Sequence, residues 1–440
     1  LMGEGALLAL LPPVGGIPLA AYVSVGLLLV GGITALPWAV ALLYDRLAPR
    51  VAHHVLPMLA VERARRVRES AAVAVSGVVA SLSLAVALTV MVASFRGSVT
   101  QWLDDVLPAG LYVRTASAPG TGDTAYFDPA FVQAVAQVPG IERVGTLRTA
   151  PLLLDRARPA VTLIARALDG PMQVLPLVGD AVAVPAGHVG IYVSEAVVDL
   201  YGARTGQVFA PLAAAFEPGT TFFVAGVWRD YARQSGAIVI AQQDFERLTG
   251  DRRVNDLALW LAPDTDAAVV QQAVRTVADR QGAGTLLEFA SAGEIRKTSL
   301  RIFDRSFAVT YWLQAVAIGI GLFGVAASFS AQVLARRKEF GLLAHLGLTR
   351  RQILAVVAGE GAAWTLIGSL AGLVLGLAVS VVLVHVVNPQ SFHWTMDLAV
   401  PWLRLAALCA AVVLAGTVTA WLAGRAAAGR DAVMAVKEDW

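Results

Sequence analysis

Cysteine occurs only once in this chain, at Cys409. No internal disulfide can form, so the compartment has to be read from topology. Charge is also scarce: charged residues make up 15% of the chain and the net charge is only +2. That balance points to no polyanionic partner and gives no sign of nucleic-acid binding. No Gly-x-x-x-x-Gly-Lys-Ser/Thr is present, so the chain lacks the loop that cradles nucleotide phosphates. His-Glu-x-x-His, Cys-x-x-Cys and Gly-x-Ser-x-Gly are missing too. His53 and His54 are adjacent but have no third ligand, and His345, His385 and His393 have no partner at metal-ligand spacing. Glu142, Glu195 and Asp230 are acidic, but nothing in the sequence brings them together, and a solvated surface accounts for them. The expectation is a chain without catalytic residues, metal or cofactor.

Apolar sequence is what the chain has in abundance. Hydrophobic residues make up 57% of it, and the mean hydropathy is +0.66. About 20 apolar helical residues cross a bilayer core. Five stretches qualify: Pro18–Tyr44, Ala71–Ser94, Phe307–Ala335, Leu354–Val387 and Leu398–Gly424. Pro37 is expected to kink the first. Positive charge clusters between the first and second spans (Arg46, Arg50, Arg63, Arg65, Arg66, Arg68). It clusters again between the third and fourth (Arg336, Arg337, Lys338, Arg350, Arg351), and after the fifth (Arg425, Arg430, Lys437). Alternating spans put all of these on one side, which the positive-inside rule makes the cytoplasm. The long segment of about 95–306 then lies outside.

Leu1–Leu11 is too short to cross a bilayer and is followed by Pro12-Pro13-Val14-Gly15-Gly16. It lacks the basic leader and small-residue cleavage site of a secretory signal. It reads as the end of an earlier span, giving five complete spans plus a partial N-terminal one; a short complete protein with a re-entrant N-terminus is the competing reading.

The outer segment mixes strands and helices. Strand candidates rich in β-branched and aromatic residues are Leu111–Val113, Val161–Ile164, Gly190–Val193, Phe222–Val227, Ala237–Ile240 and Leu257–Leu261. Asp128-Pro129 marks a helix start, Ser194 is placed to cap a helix ending at Gly202, and Asp266–Arg280 has an amphipathic pattern. Strands alternating with helices suggest a ferredoxin-like α+β core with an insertion from about 170 to 255.

The most informative segment lies between the third and fourth spans. Thr349-x-x-Gln352 is a capping box that starts a helix just after Gly347. Upstream, Phe340, Leu343 and Leu346 form a short apolar stripe beside charged residues. Such a helix either docks in a groove of another protein or rests on lipid headgroups. The order Arg336-Arg337, Glu339, Leu342-Leu343, Leu346-Gly347, Thr349-Arg350-Arg351 and Glu360 resembles the cytoplasmic coupling segment of the FtsX-like/MacB-like permeases of ABC transporters. Val138-Pro139-Gly140-Ile141, Val193-Ser194-Glu195 and Val224-Ala225-Gly226-Val227 followed by Asp230-Tyr231 add weaker matches in sequence order.

The resemblance implies an α-helical membrane protein of the inner membrane with an extracytoplasmic α+β domain. Within it, 1–50 are linking spans, 51–70 a cytoplasmic amphipathic segment and 71–94 the span opening the unit. Residues 95–306 are the MacB-like periplasmic core domain, 307–424 the three-span domain with coupling segment 336–353, and 425–440 a cytoplasmic tail. It further implies that the chain corresponds to the C-terminal half of a ten-span permease. The expected partners are a cytoplasmic ABC ATPase dimer, an N-terminal half or second permease copy, membrane lipid and an outer periplasmic or lipoprotein partner. Arg337, Glu339, Phe340, Leu343, Leu346, Gly347, Thr349 and Arg350 are the expected ATPase-coupling residues.

The fourth span carries two further features. Gly368, Gly372 and Gly376 recur at four-residue spacing, a small-residue groove for close helix approach. Glu360 is an intramembrane carboxylate, costly unless paired or near a helix N-terminus. Glu62–Gln101 and Arg305–Lys338 read as long stalk helices. The activity that the resemblance implies is transmission of ATP-driven motion to the outer domain, moving an amphiphile such as lipid or lipoprotein. The rival is a module that transmits the same motion to a cell-wall hydrolase or sensor and transports nothing.

Overall fold

In the computed structural model, residues 1–51, 68–115, 126–168, 175–216, 219–281, 287–335, 339, 342 and 347–427 are described. Long runs of Ala, Val, Leu and Gly with few charges leave the backbone to satisfy its own hydrogen bonds, and they do so as helices. Among the described residues, five helices are long and apolar enough to cross a membrane.

The chain divides into two units. The first comprises Leu1–Phe95, Arg305–Ser391 and Met396–Trp440; the second, Arg96–Asp304 and Phe392–Thr395. In the helical unit, a short α1 (Met2–Leu8) precedes α2 (Leu19–Val51), which continues through Pro37. Then comes α3 (Arg68–Val106), whose residues from Arg96 onward count with the second unit. The core of the helical unit is mostly aliphatic: Val75, Val78, Val79, Leu82, Val86 and Val90 of α3 cluster with Trp364, Leu375, Leu405 and Val412.

The second unit opens with β1 (Leu111–Thr115), α4 (Pro129–Ala136), β2 (Ile141–Leu152) and β3 (Val161–Arg166). β4 (Val189–Ser194), α5 (Glu195–Tyr201), α6 (Ala210–Ala213), β5 (Phe222–Trp228) and β6 (Ala237–Ala241) follow. The unit continues with α7 (Gln242–Thr249), β7 (Asp256–Leu261), α8 (Ala267–Arg280) and β8 (Leu287–Ser291). The eight strands among the described residues form one sheet in the order β5-β4-β6-β3-β2-β7-β1-β8.

Within that sheet, β2-β7-β1-β8 pair antiparallel, with α4 after β1 and α8 after β7. This is the split βαβ arrangement of a ferredoxin-like core. β3 to β6, inserted between β2 and β7, extend the sheet sideways and include two parallel pairings. One face is closed by α4 and α8, whose Phe131, Val135, Val270 and Val274 meet Val113, Leu257 and Leu259. Farther along, Val197 of α5 and Phe245 of α7 cover Ile191, Val224 and Ile240.

Two strands were not anticipated: β2, whose residues Ile141–Leu152 include Gly145 and Pro151, and β8. Two expected caps also differ. Asp128 and Ser194 occupy N-cap positions, yet neither side chain bonds its helix. Ser194 Oγ instead accepts the Ala237 N–H, tying β4 to β6. Asp266 does cap α8, accepting from Ala268 N, and Gly202 ends α5 at φ +69°.

After β8, α9 runs from Ala292 to Ala335 and α10 from Arg350 to Val382. A π-helical segment, Leu383–Val387, leads to α11 (Asn388–Phe392), and α12 spans Trp402–Ala427. Hence both expected stalks are helical well beyond their expected outer ends: α3 reaches Val106 instead of Gln101, and α9 begins at Ala292 instead of Arg305.

Candidate functional site

The segment expected to couple to an ATPase is described at its downstream end; Arg337, Phe340, Leu343 and Leu346 lie outside the described residues. Gly347 has φ +93°, a left-handed conformation that favours glycine. Thr349 then caps α10. Its hydroxyl accepts the Gln352 N–H, and the Gln352 side chain accepts the Thr349 N–H at 2.8 Å. Arg350 donates to the carbonyl oxygen of Arg425, a favourable place for a cation because the C-terminus of α12 carries partial negative charge. Leu348 packs on Val333, Ile353 and Val357. One end of the segment is therefore fixed to three helices of the bundle. Glu339 is exposed and helical.

α10 carries small residues on two faces. On one, an added Cβ at Gly368 would lie 2.5 Å from Val75 Cγ1, at Gly372 3.2 Å from Leu82 Cβ, and at Gly376 2.6 Å from Val86 Cβ and 2.7 Å from the Ser83 carbonyl. These glycines let α3 approach closely. On the other, a Cβ at Gly361 would come within 2.3 Å of Ala420, and one at Gly416 of α12 within 2.1 Å of Thr365. This second seam was not anticipated; Gly416 and Gly424 were the available signal in the sequence. Glu360 is buried in α10. No cluster of three or more potential metal ligands occurs among the described residues.

In the α+β unit, a network centres on Tyr231, in the loop after β5. Its ring meets Trp102, near the end of α3, edge-on at 5.8 Å and Trp394 at 5.5 Å. The Trp102 indole N–H donates to the Arg229 carbonyl at 3.0 Å. Phe392 stacks on Trp394 at 5.5 Å. Glu195, at the start of α5, accepts from the Thr395 N–H (3.1 Å) and hydroxyl (2.6 Å). His393 pairs with Asp199.

The three acidic residues that stood out in the sequence therefore do not form a catalytic pair. Glu142 is exposed and Glu195 holds Thr395. Asp230, expected on a solvated surface, is buried and accepts from Ala232 N and Arg233. Burial pushes its pKa up, while Arg233 and the Ala232 N–H pull it down. Phe392–Thr395 was missed; an aromatic-rich stretch just after a long span was the signal.

Residues 313–432 match the FtsX-like permease C-terminal family. That C-terminal segment is similar to an FtsX-like permease domain. An uncharacterized ABC transporter permease protein of Mycobacterium tuberculosis is 26% identical over 398 residues, covering 86% of this chain and 45% of that protein. A second uncharacterized ABC transporter permease, from Methanocaldococcus jannaschii, is 22% identical over 165 residues, covering 37% of this chain and 41% of its own length. The chain thus matches less than half the length of either relative. Among solved structures, the periplasmic region of MacB from Actinobacillus actinomycetemcomitans aligns at 12% identity and TM-score 0.33, covering 44% of this chain and 94% of that one. The extracellular domain of the noncanonic ABC-type transporter YknZ aligns at 14% identity and TM-score 0.29, covering 41% and 98%.

Proposed function

We propose that this permease couples a cytoplasmic ABC ATPase dimer to an extracytoplasmic α+β domain, which moves or extracts an amphiphile such as lipid or lipoprotein. The observation that carries this reading is the continuity of two helices. α3 has 39 residues and α9 has 44, hence ~58 and ~66 Å at about 1.5 Å per residue, against a hydrocarbon core of ~30 Å. Residues 68–95 of α3 belong to the helical unit and 96–106 to the α+β unit; α9 changes unit between Asp304 and Arg305. An uninterrupted helix is stiff along its axis and transmits displacement without a substrate passing between spans.

Glu339, Gly347, Thr349 and Arg350, with the stripe of Phe340, Leu343 and Leu346 and the basic Arg337, form the ATPase-docking segment in this reading. The glycine seams of α10 and the buried Glu360 keep the spans moving as one body. A second permease copy or an N-terminal half completes the transporter. The test is ATP hydrolysis by the purified chain alone and with its cognate ATPase in lipid nanodiscs. Turnover should require the ATPase and respond to the permease; hydrolysis by the chain alone, with contaminating ATPase excluded, contradicts the proposal.

A further inference from the structure

The chain passes between its two units after Phe95, Asp304, Ser391 and Thr395. The first two passages lie within continuous helices, α3 and α9. The last two bracket only Phe392–Thr395, between the fourth and fifth spans. A connection of this kind needs only to turn the chain, and polar residues exposed to water are enough for that. Here the four residues are instead gathered into the α+β unit.

We propose that Phe392–Thr395 is a clasp, through which α10 and α12 hold the α+β domain and deliver their displacement to it independently of α3 and α9. Every polar group of Thr395 that can bond is used: N–H and hydroxyl to Glu195, and the carbonyl from the Tyr231 hydroxyl at 2.9 Å. Trp394 is 6% exposed and its ring contacts both Phe392 and Tyr231. His393 has φ +60°, a left-handed conformation seldom adopted by residues other than glycine. Such a conformation persists where the neighbours fix it, and the Asp199 pair and the held residues on its C-terminal side do so.

The partners complete the argument. Glu195 opens α5 directly from β4, and Tyr231 follows β5, so the clasp grips two adjacent, parallel strands of the sheet. Trp102 brings the end of α3 to the same loop. A pull on the clasp therefore reaches the inserted half of the sheet, β4 and β5, and not the ferredoxin-like half first.

The fastening stands on this geometry alone; that ATP drives it rests on the function proposed above. Hydrogen exchange by mass spectrometry tests both, on the full chain with its cognate ATPase in nanodiscs, without nucleotide and with ATP trapped by vanadate. We expect wild type to show a several-fold ATP-linked change in exchange in peptides covering 189–201 and 228–237. In Trp394→Ala and in Glu195→Ala the change in those peptides should disappear, while the change within 350–382 remains. Glu195→Gln, which keeps an acceptor for the Thr395 N–H, should retain most of it. Should Trp394→Ala fail to fold, Glu195→Ala combined with Thr395→Val leaves the aromatic stack intact and carries the test. An undiminished ATP-linked change in the outer peptides of these variants overturns the clasp. A wild-type change in 350–382 but not in the outer peptides also overturns it while sparing the coupling reading. No ATP-linked change anywhere in wild type removes both.

Discussion

The Tyr231 hydroxyl donates to the Thr395 carbonyl oxygen at 2.9 Å, joining residues 164 apart in the chain. Because the Tyr231 ring also contacts Trp102 and Trp394, the bond and the ring can be removed separately. Tyr231→Phe leaves both ring contacts and an acceptor without its donor, and should cost about 1 kcal/mol. Tyr231→Ala also empties a site that is 4% exposed and should cost about 3 kcal/mol or more. Unfolding of the α+β domain, followed by tryptophan fluorescence in urea, reads both. Equal loss in the two variants contradicts the separation.

The α10 glycines should rank by what a new methyl would strike. Gly376→Ala meets the Ser83 carbonyl, backbone that moves only with its helix, and should destabilise by about 1–3 kcal/mol. Gly368→Ala meets a valine methyl and should be intermediate. Gly372→Ala meets Leu82 at 3.2 Å and should cost less than about 1 kcal/mol. Gly77→Ala, where a Cβ meets nothing within 4 Å, is the control. Thermal stability in detergent ranks the four, and a Gly372 variant weaker than the Gly376 one contradicts the helix contacts.

Two carboxylates of the α+β domain should respond oppositely. Arg253 and Arg148 hold the Asp251 carboxyl far below the usual carboxylate range. A depressed pKa contributes stability above the unfolded value of about 3.9, lost as pH falls through the folded value. Burial raises the pKa of Asp230, so charging it lowers stability as pH rises through its folded value. At neutral pH Asp251→Asn should cost about 1.5–3 kcal/mol, and Asp230→Asn should be neutral within about 1 kcal/mol. Urea midpoints at neutral pH decide, and the reverse order contradicts this assignment.

Much of this architecture is legible in the sequence, for physical reasons. The spans declare themselves by apolar length, and the Thr349–Gln352 cap by residue type alone. Strands β3 to β6 stand out because they are rich in β-branched and aromatic residues, and β7 by its apolar run from Leu257 to Leu261. β2 does not, since its Gly145 lies beneath Trp260 and its inward face is only partly covered. The outer ends of α3 and α9 are polar, so hydropathy stops before the helix does. The clasp is invisible locally: Glu195 and Thr395 are 200 residues apart, and only the fold brings them together.

Sidedness is open to direct labelling. In a chain with Cys409→Ser, cysteines replacing Arg65, Arg337 and Arg430 should resist impermeant thiol reagents in intact cells. Arg252→Cys, at a side chain 76% exposed on the α+β domain, should label. The opposite pattern inverts the topology.

Coupling through residues 336–353 is tested most directly by Leu343→Asp. Placing a carboxylate in an apolar groove costs several kcal/mol, on the order of 2–7 without a partner, enough to release a docked ATPase. Co-purification of the ATPase with wild-type and Leu343→Asp permease, at matched expression, is the measurement. We expect the variant to remain folded in the membrane and to lose most of the bound ATPase, with Leu346→Asp milder. Equal recovery of the ATPase, with permease-dependent hydrolysis unchanged, would show that the motor does not dock here.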